Sequence, residues 1–330
     1  MRRALFLFVL LGTVVDAGAL PPRLRDAGYD APDRIAFAPQ YPLWSDGAAK
    51  QRWIWLPPGA SIDASDPDAW EFPPGTRLFK EFSLGRRIET RVIERQRDGS
   101  WEFGTYVWNE DGSDARLAPP QGIAGLPVAA APGGRYGIPS LYDCQACHSG
   151  PRVPVLGFSA LQLSPDRDPL APHADAGNPL DLRALVARGL LRNLPPALLE
   201  RPPRIAATSP VERAALGYLH GNCGHCHGAD GADAAVPVDL RLAQRVAGAG
   251  REAVLRTLLG DSRFRAVAGP TAIVMPGQAD ASLLPMRMRS RDPRRQMPPL
   301  GTALPDSEAL ALVRRWIDGL SPSNTHPQGE

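Results

Sequence analysis

Two short runs carry the residues of this chain that can do chemistry. Cys144, Cys147 and His148 form a C-x-x-C-H run in "LYDCQACHSG", and Cys223, Cys226 and His227 form a second in "GNCGHCHG". Such a run attaches a c-type haem: each thiol adds to a vinyl group and the histidine takes the iron. On a short helix, Cys at i and i+3 share one face and the following His projects beside them, which is why the spacing matters. A single run of this kind also fits a zinc or redox site. Here both runs together use all 4 cysteines of the chain, and two complete motifs point to two covalent haems.

A haem iron held by histidine commonly takes a second protein ligand, often methionine. For the second haem, "RRQMPPLG" supplies Met297, stiffened by Pro298 and Pro299. The thioether raises the reduction potential relative to a harder ligand. Met275, Met286 and Met288 are its rivals, and Met288 with Leu283 and Leu284 reads as a packing face. For the first haem no Met lies between His148 and Met275, and His173 in "LAPHADAGN" is the candidate within that interval. An open face ranks first, His173 second and a Met such as Met275 from the second unit third. His225 reads as a spacer pointing away from the iron, and His220 as a helix-face residue. Arg287, Arg289, Arg291, Arg294 and Arg295 form a basic run before Met297 that fits a docking patch, a hold on haem carboxylates, or a solvated face.

These residues need elements to position them. Arg2 and Arg3, the apolar run Ala4 to Val15 and the small residues through Ala19 read as a signal peptide, cleaved after Ala19. The run falls short of the ~20 apolar residues that span a bilayer. Export also suits haem attachment and leaves no integral membrane span in the mature chain. The net charge of +2 argues against nucleic acid as a partner. Arginine heavily outnumbers lysine, which stands only at Lys50 and Lys80, and base composition explains that bias. With 32 Gly and 36 Pro among 330 residues, the chain is loop-rich yet globular.

From about 35 to 118, "QRWIWLPPG", "TRLFKEFSL", "RRIETRVIERQ" and "WEFGTYVWNE" read as strands, with turn signals at Asp98-Gly99 and Asp111-Gly112. The alternation in "RRIETRVIER" predicts a half-buried antiparallel sheet. Trp44, Trp53, Trp55, Trp101 and Trp108 read as its core. The second half reads as helical: Ser209 caps one helix with Pro210 in its first turn and Glu212 completing a capping box. Asp306 caps another, whose stripe is Leu310, Val313, Trp316 and Ile317, with Gly319 as its stop.

The string "CGHCHGADG…DLR…MPGQADASLLPMRM…QMPPLG…WIDGL" resembles the C-terminal domain of bacterial c-type cytochromes. With "YPLWSDGAAKQRWIWLPPG", "FPPGTRLFKEF", "TYVWNEDGSDA" and "VLGFSALQLS", residues 36–320 resemble a family of exported bacterial dihaem c-type cytochromes. The expected fold class is α+β: a β-rich N-terminal domain, sheet or sandwich, followed by mostly α-helical cytochrome c-like haem modules. The expected divisions are a signal peptide (1–19), a β-rich domain (20–135), a first haem segment (136–205) and a second haem domain (206–330). The implied function is single-electron transfer in the periplasm through two haems c, with redox proteins as partners. The alternative is a peroxidase-like haem enzyme whose first iron keeps an open face.

Overall fold

The computed structural model of the chain describes residues 20–149, 153–175, 177, 180–228, 249–259 and 272–321. The signal-peptide expectation for 1–19 lies outside the described residues. Ten strands follow one another: β1 (Ile35–Ala36), β2 (Ala49–Trp55), β3 (Ile62–Asp63), β4 (Arg77–Leu84), β5 (Arg86–Arg95), β6 (Trp101–Trp108), β7 (Ala115–Leu117), β8 (Ile123–Pro127), β9 (Arg135–Ile138) and β10 (Leu191–Arg192). Six of them build an antiparallel sheet in the order β1-β2-β4-β5-β6-β7, while β8 pairs with β9 and β3 with β10.

Register decides which side chains share a face of the sheet. Trp53 opposes Phe79, and Phe79 opposes Val92. That face packs against Leu20, Leu24 and Tyr29 from the segment before β1. Arg52 opposes Lys80, and Lys80 opposes Arg91, on the other face. At one end of it Ile54 and Leu78 pack on Phe158, Leu163 and Leu182. At the far end Ile88 packs on Val128 and Ile138. Glu89, which alternates with the apolar residues of that run, is fully buried. The sheet is therefore covered on both faces, and the half-buried expectation is corrected.

The helices are α1 (Leu141–His148), α2 (Leu182–Ala187), α3 (Ala197–Glu200), α4 (Pro210–Asn222), α5 (Ala249–Leu259), α6 (Leu283–Arg289) and α7 (Ser307–Asp318). The expected fold class fails here. A β-rich antiparallel sheet dominates the molecule, and the described residues hold only seven helices, for 25% helix overall, so mostly helical haem modules do not follow it. Proline is the physical reason in the first haem segment. Pro154, Pro165, Pro169 and Pro172 each remove a helix donor, and the described residues between α1 and α2 are turns and extended chain. Their apolar side chains are spent on the sheet instead.

Two helices meet the rules that their sequences follow. Ser209 Oγ accepts from Glu212 N at 3.1 Å, and Asp306 Oδ1 accepts from Ala309 N at 3.1 Å. The Glu212 carboxylate takes the Thr208 backbone N–H at 3.1 Å, so the box closes one residue earlier than expected. α4 and α7 bury Ala215, Leu219, Val313, Trp316 and Ile317 in a common core. Each large apolar side chain so buried contributes about 1.5–3 kcal/mol. Tyr41, from the chain leading into β2, is inserted in that core. No helix among the described residues is long and apolar enough to cross a membrane.

Candidate functional site

The first motif lies wholly within α1. Ser140 Oγ accepts from Asp143 N at 3.1 Å, and the Asp143 carboxylate accepts the Ser140 backbone N–H at 2.9 Å, a reciprocal cap that fixes the start of the helix. The last turn then carries Cys144, Cys147 and His148 together. α1 rests on β6, where the Phe103 ring stands 5.3 Å from the imidazole of His148. The Nδ1 of His148 hydrogen-bonds to the Pro154 carbonyl, which can only accept, so Nδ1 carries the proton and Nε2 keeps its lone pair. Burial pushes His148 down to about 4 against the pull of that carbonyl, and Lys80 and Arg91 also disfavour its cation. A neutral imidazole oriented through its other nitrogen is what a metal ligand requires.

The second motif is built differently. α4 ends at Asn222, and Cys223 starts a turn in which its own carbonyl accepts from Cys226 N at 3.1 Å and His227 N at 2.8 Å. Gly221 and Gly224 lie at this stop, and glycine is a poor helix former. The expectation that the motif sits on a short helix therefore holds for α1 and not here. Asn222 anchors the turn: it donates to the Pro42 and Tyr218 carbonyls at 3.1 Å each and accepts Trp44 N–H at 2.7 Å.

Beyond this turn lies a cavity with about 1090 Å³ of free space, part of it continuous with solvent. Cys223, Cys226, His227 and Met297 all line it, with Leu258, Ile273, Leu283, Leu284 and Met288 as apolar wall. Arg287 and Arg291 also face it. An apolar chamber with two thiols, an imidazole and a thioether is a donor set that fits a c-type haem. Burial pushes the Cys223 thiol up to about 12. Met297 is held by its backbone N–H, which donates to the Arg287 carbonyl at 3.0 Å.

The two motifs touch. The ligand atoms of Cys147, His225 and Cys226 lie within 4.8 Å of one another. The Cys147 thiol hydrogen-bonds to Cys226; that bond, with burial adding to it, pushes Cys147 up to about 12, while the same bond pulls Cys226 down against the opposing effect of burial. His225 is accordingly buried between the motifs. A zinc reading of this trio offers three ligands where a structural site takes four. It also leaves Cys144, Cys223, His148 and His227 without a role.

The remaining expected residues fall as follows. His173 donates through Nε2 to Asp306 at 2.9 Å and turns Nδ1 towards Glu308 at 3.6 Å, with its ring 4.8 Å from Trp44. Both nitrogens are thus directed at carboxylates. Trp44 lines the cavity of the second motif and is no part of the sheet core, in contrast to Trp53, Trp55 and Trp108. Met288 is buried in the helical core, and Met275 is tied by its backbone N–H to Ser282 Oγ at 2.8 Å. The arginine run divides: Arg287 and Arg291 face the cavity, while Arg289, Arg294 and Arg295 are exposed.

The chain matches no protein-family model, no curated protein and no solved structure. Sequence reasoning passed over Pro154 and the Lys50, Arg52, Lys80 and Arg91 side chains beside the first motif. A signal for the latter stood in the sequence, since the chain's only two lysines are among them.

Proposed function

We propose that the chain is an exported dihaem c-type cytochrome, which passes single electrons between two covalently held haems and on to redox partner proteins of the periplasm. The observation that carries this reading is the meeting of Cys147 and Cys226, one attachment cysteine from each motif. When bound, a haem supplies one-electron exchange at its iron. The residues of the chain supply the rest. His148, neutral and oriented by Pro154, and His227 offer the proximal nitrogens. Met297, which lines the same cavity as His227, offers a sulfur that would hold the second haem at the higher potential and so favour electron flow from the first haem to the second.

A second reading, a peroxidase-like haem enzyme, draws on the position of His173. With its nitrogens directed at Asp306 and Glu308, His173 is engaged elsewhere and would not serve as a second ligand to the first haem. Spin state separates the two readings: a high-spin ferric first haem favours the enzyme, and two low-spin haems favour transfer.

The experiment is expression with c-type maturation, acid–acetone extraction and an electronic spectrum. Two haems per chain should remain on the polypeptide. One haem or none, or stoichiometric zinc in their place, overturns the proposal.

A further inference from the structure

The inner face of the sheet beside α1 carries an uncommon row of cations. Arg52 on β2 stands directly opposite Lys80 on β4, and Lys80 directly opposite Arg91 on β5. Lys50 lies two residues before Arg52 and so on the same face. Like charges directly opposed on neighbouring strands destabilise a sheet. All four side chains are partly buried, where an uncompensated charge costs more than at an open surface.

Little on this face answers that charge. Glu89 is the carboxylate on the sheet itself, and its Oε1 is taken by Arg91 at 2.6 Å and by the Tyr136 hydroxyl at 2.8 Å; Asp46 and Asp306 act on Lys50, and Asp175 on Arg52, only through longer-range attraction. Arg91 and Lys80 also lie over the Phe82 ring, at 4.4 and 4.9 Å. Among the described residues, Lys50, Arg52 and Lys80 have no ion pair with a carboxylate within 4.0 Å. Burial, with Arg52 and Arg91 adding to it, pulls Lys50 down to about 8. The row adjoins the first motif: Phe103 on β6, directly opposite Ile93 on β5, meets the His148 ring at 5.3 Å, and Arg91 lies two residues from Ile93 on the same face.

We infer that Lys50, Arg52, Lys80 and Arg91 form a carboxylate-binding site, and that it takes the two propionate carboxylates of the haem attached at Cys144 and Cys147. A cluster of positive charge on a rigid sheet, next to the proximal histidine, is matched by a ligand that brings two anionic groups to that histidine. Arg52 and Arg91 present forked donors suited to carboxylates, and the two lysines add point charges. In a chain that otherwise uses arginine throughout, both of its lysines stand in this row. The inference rests on the dihaem reading and adds to it what orients the first haem.

The test is the midpoint potential of each haem, followed from pH 5 to pH 9, in the holoprotein and in Arg52→Gln, Lys80→Gln and Arg52→Lys. Loss of either charge should lower the potential of the first haem, leave that of the second unchanged, and bring a pH dependence near neutrality as the carboxylates lose their partners. Arg52→Lys should restore most of the effect and guards against misfolding of the glutamine variants. Two haems with unchanged potentials in both glutamine variants overturn this inference alone. Failure to attach haem in the unaltered chain overturns the dihaem reading and this inference with it. A third arm adds acetate to the ferric protein: a saturable spectral change that Lys80→Gln abolishes would show the site open to a free carboxylate, and would also overturn it.

Discussion

In the dihaem reading, Met297 is the residue on which the asymmetry of the two haems depends. It shares the cavity wall with His227 and Cys223, and Pro298 and Pro299 follow it along that wall. Met297→Ala should abolish the far-red charge-transfer band of a thioether–iron bond and lower the potential of the second haem. An unchanged band would assign the bond to Met288, which lines the same cavity. His148 and the four cysteines were legible as candidate residues because their spacing alone singles them out. The partner of His148 was not, because a backbone carbonyl such as that of Pro154 leaves no mark in the residue types. His173 was read as a possible ligand from its type, while its engagement with Asp306 depends on residues more than a hundred positions away.

At the scale of elements, α4 is the part that joins the second motif to the rest of the chain. A Cβ on Gly217 would lie 2.0 Å from the Tyr41 ring, and one on Gly221 would lie 2.4 Å from the Tyr41 carbonyl. Tyr41 cannot easily swing aside, because it is buried and its hydroxyl donates to Asp168 at 3.1 Å. Gly217→Ala should therefore destabilise the protein by about 1–3 kcal/mol through overpacking. That exceeds the ~1 kcal/mol that alanine gains over glycine in a helix interior. Equal or higher stability in denaturant melts would contradict the close fit. The start of α7 gives a pH-dependent counterpart. The hydrogen bond to Asp306 raises the His173 pKa above its usual value despite partial burial. A raised folded pKa means that the contribution is fully present below the unfolded value of about 6.5 and is lost as pH rises through the folded one. The difference in melting temperature between wild type and His173→Gln should be largest at about pH 5 and shrink towards pH 8. A difference independent of pH would dissociate His173 from Asp306. The caps of α4 and α7 were readable from Ser209 and Asp306, since capping is local. The shortage of helix between α1 and α4 was overlooked because the haem motifs weighed more than the prolines around them.

At the scale of the whole molecule, the sheet and the helical core are joined through residues 40–44, and the two motifs meet between them. That meeting could not be read from the sequence: Cys147 lies on a capped helix, Cys226 in a turn after another, and tertiary contacts of α4, among them those of Gly217 and Asn222 with Tyr41 and Trp44, bring them together. The cation row was marked in the sequence only by the two lysines, since Lys50, Arg52, Lys80 and Arg91 become neighbours through strand register. The exposed Arg294 and Arg295 offer a face for an acidic partner near the second cavity. Replacing both by Gln should slow electron transfer to such a partner and flatten its salt dependence; an unaltered rate at low and high salt would leave them a solvated face. The adjacency of the motifs itself is tested most directly by electron paramagnetic resonance during a stepwise reduction of the dihaem protein. Reducing the second haem, that of the Met297 cavity, first should alter the ferric signal of the haem at His148, because their attachment points adjoin. A first-haem signal that stays the same whether its neighbour is oxidised or reduced would show that the two haems do not adjoin.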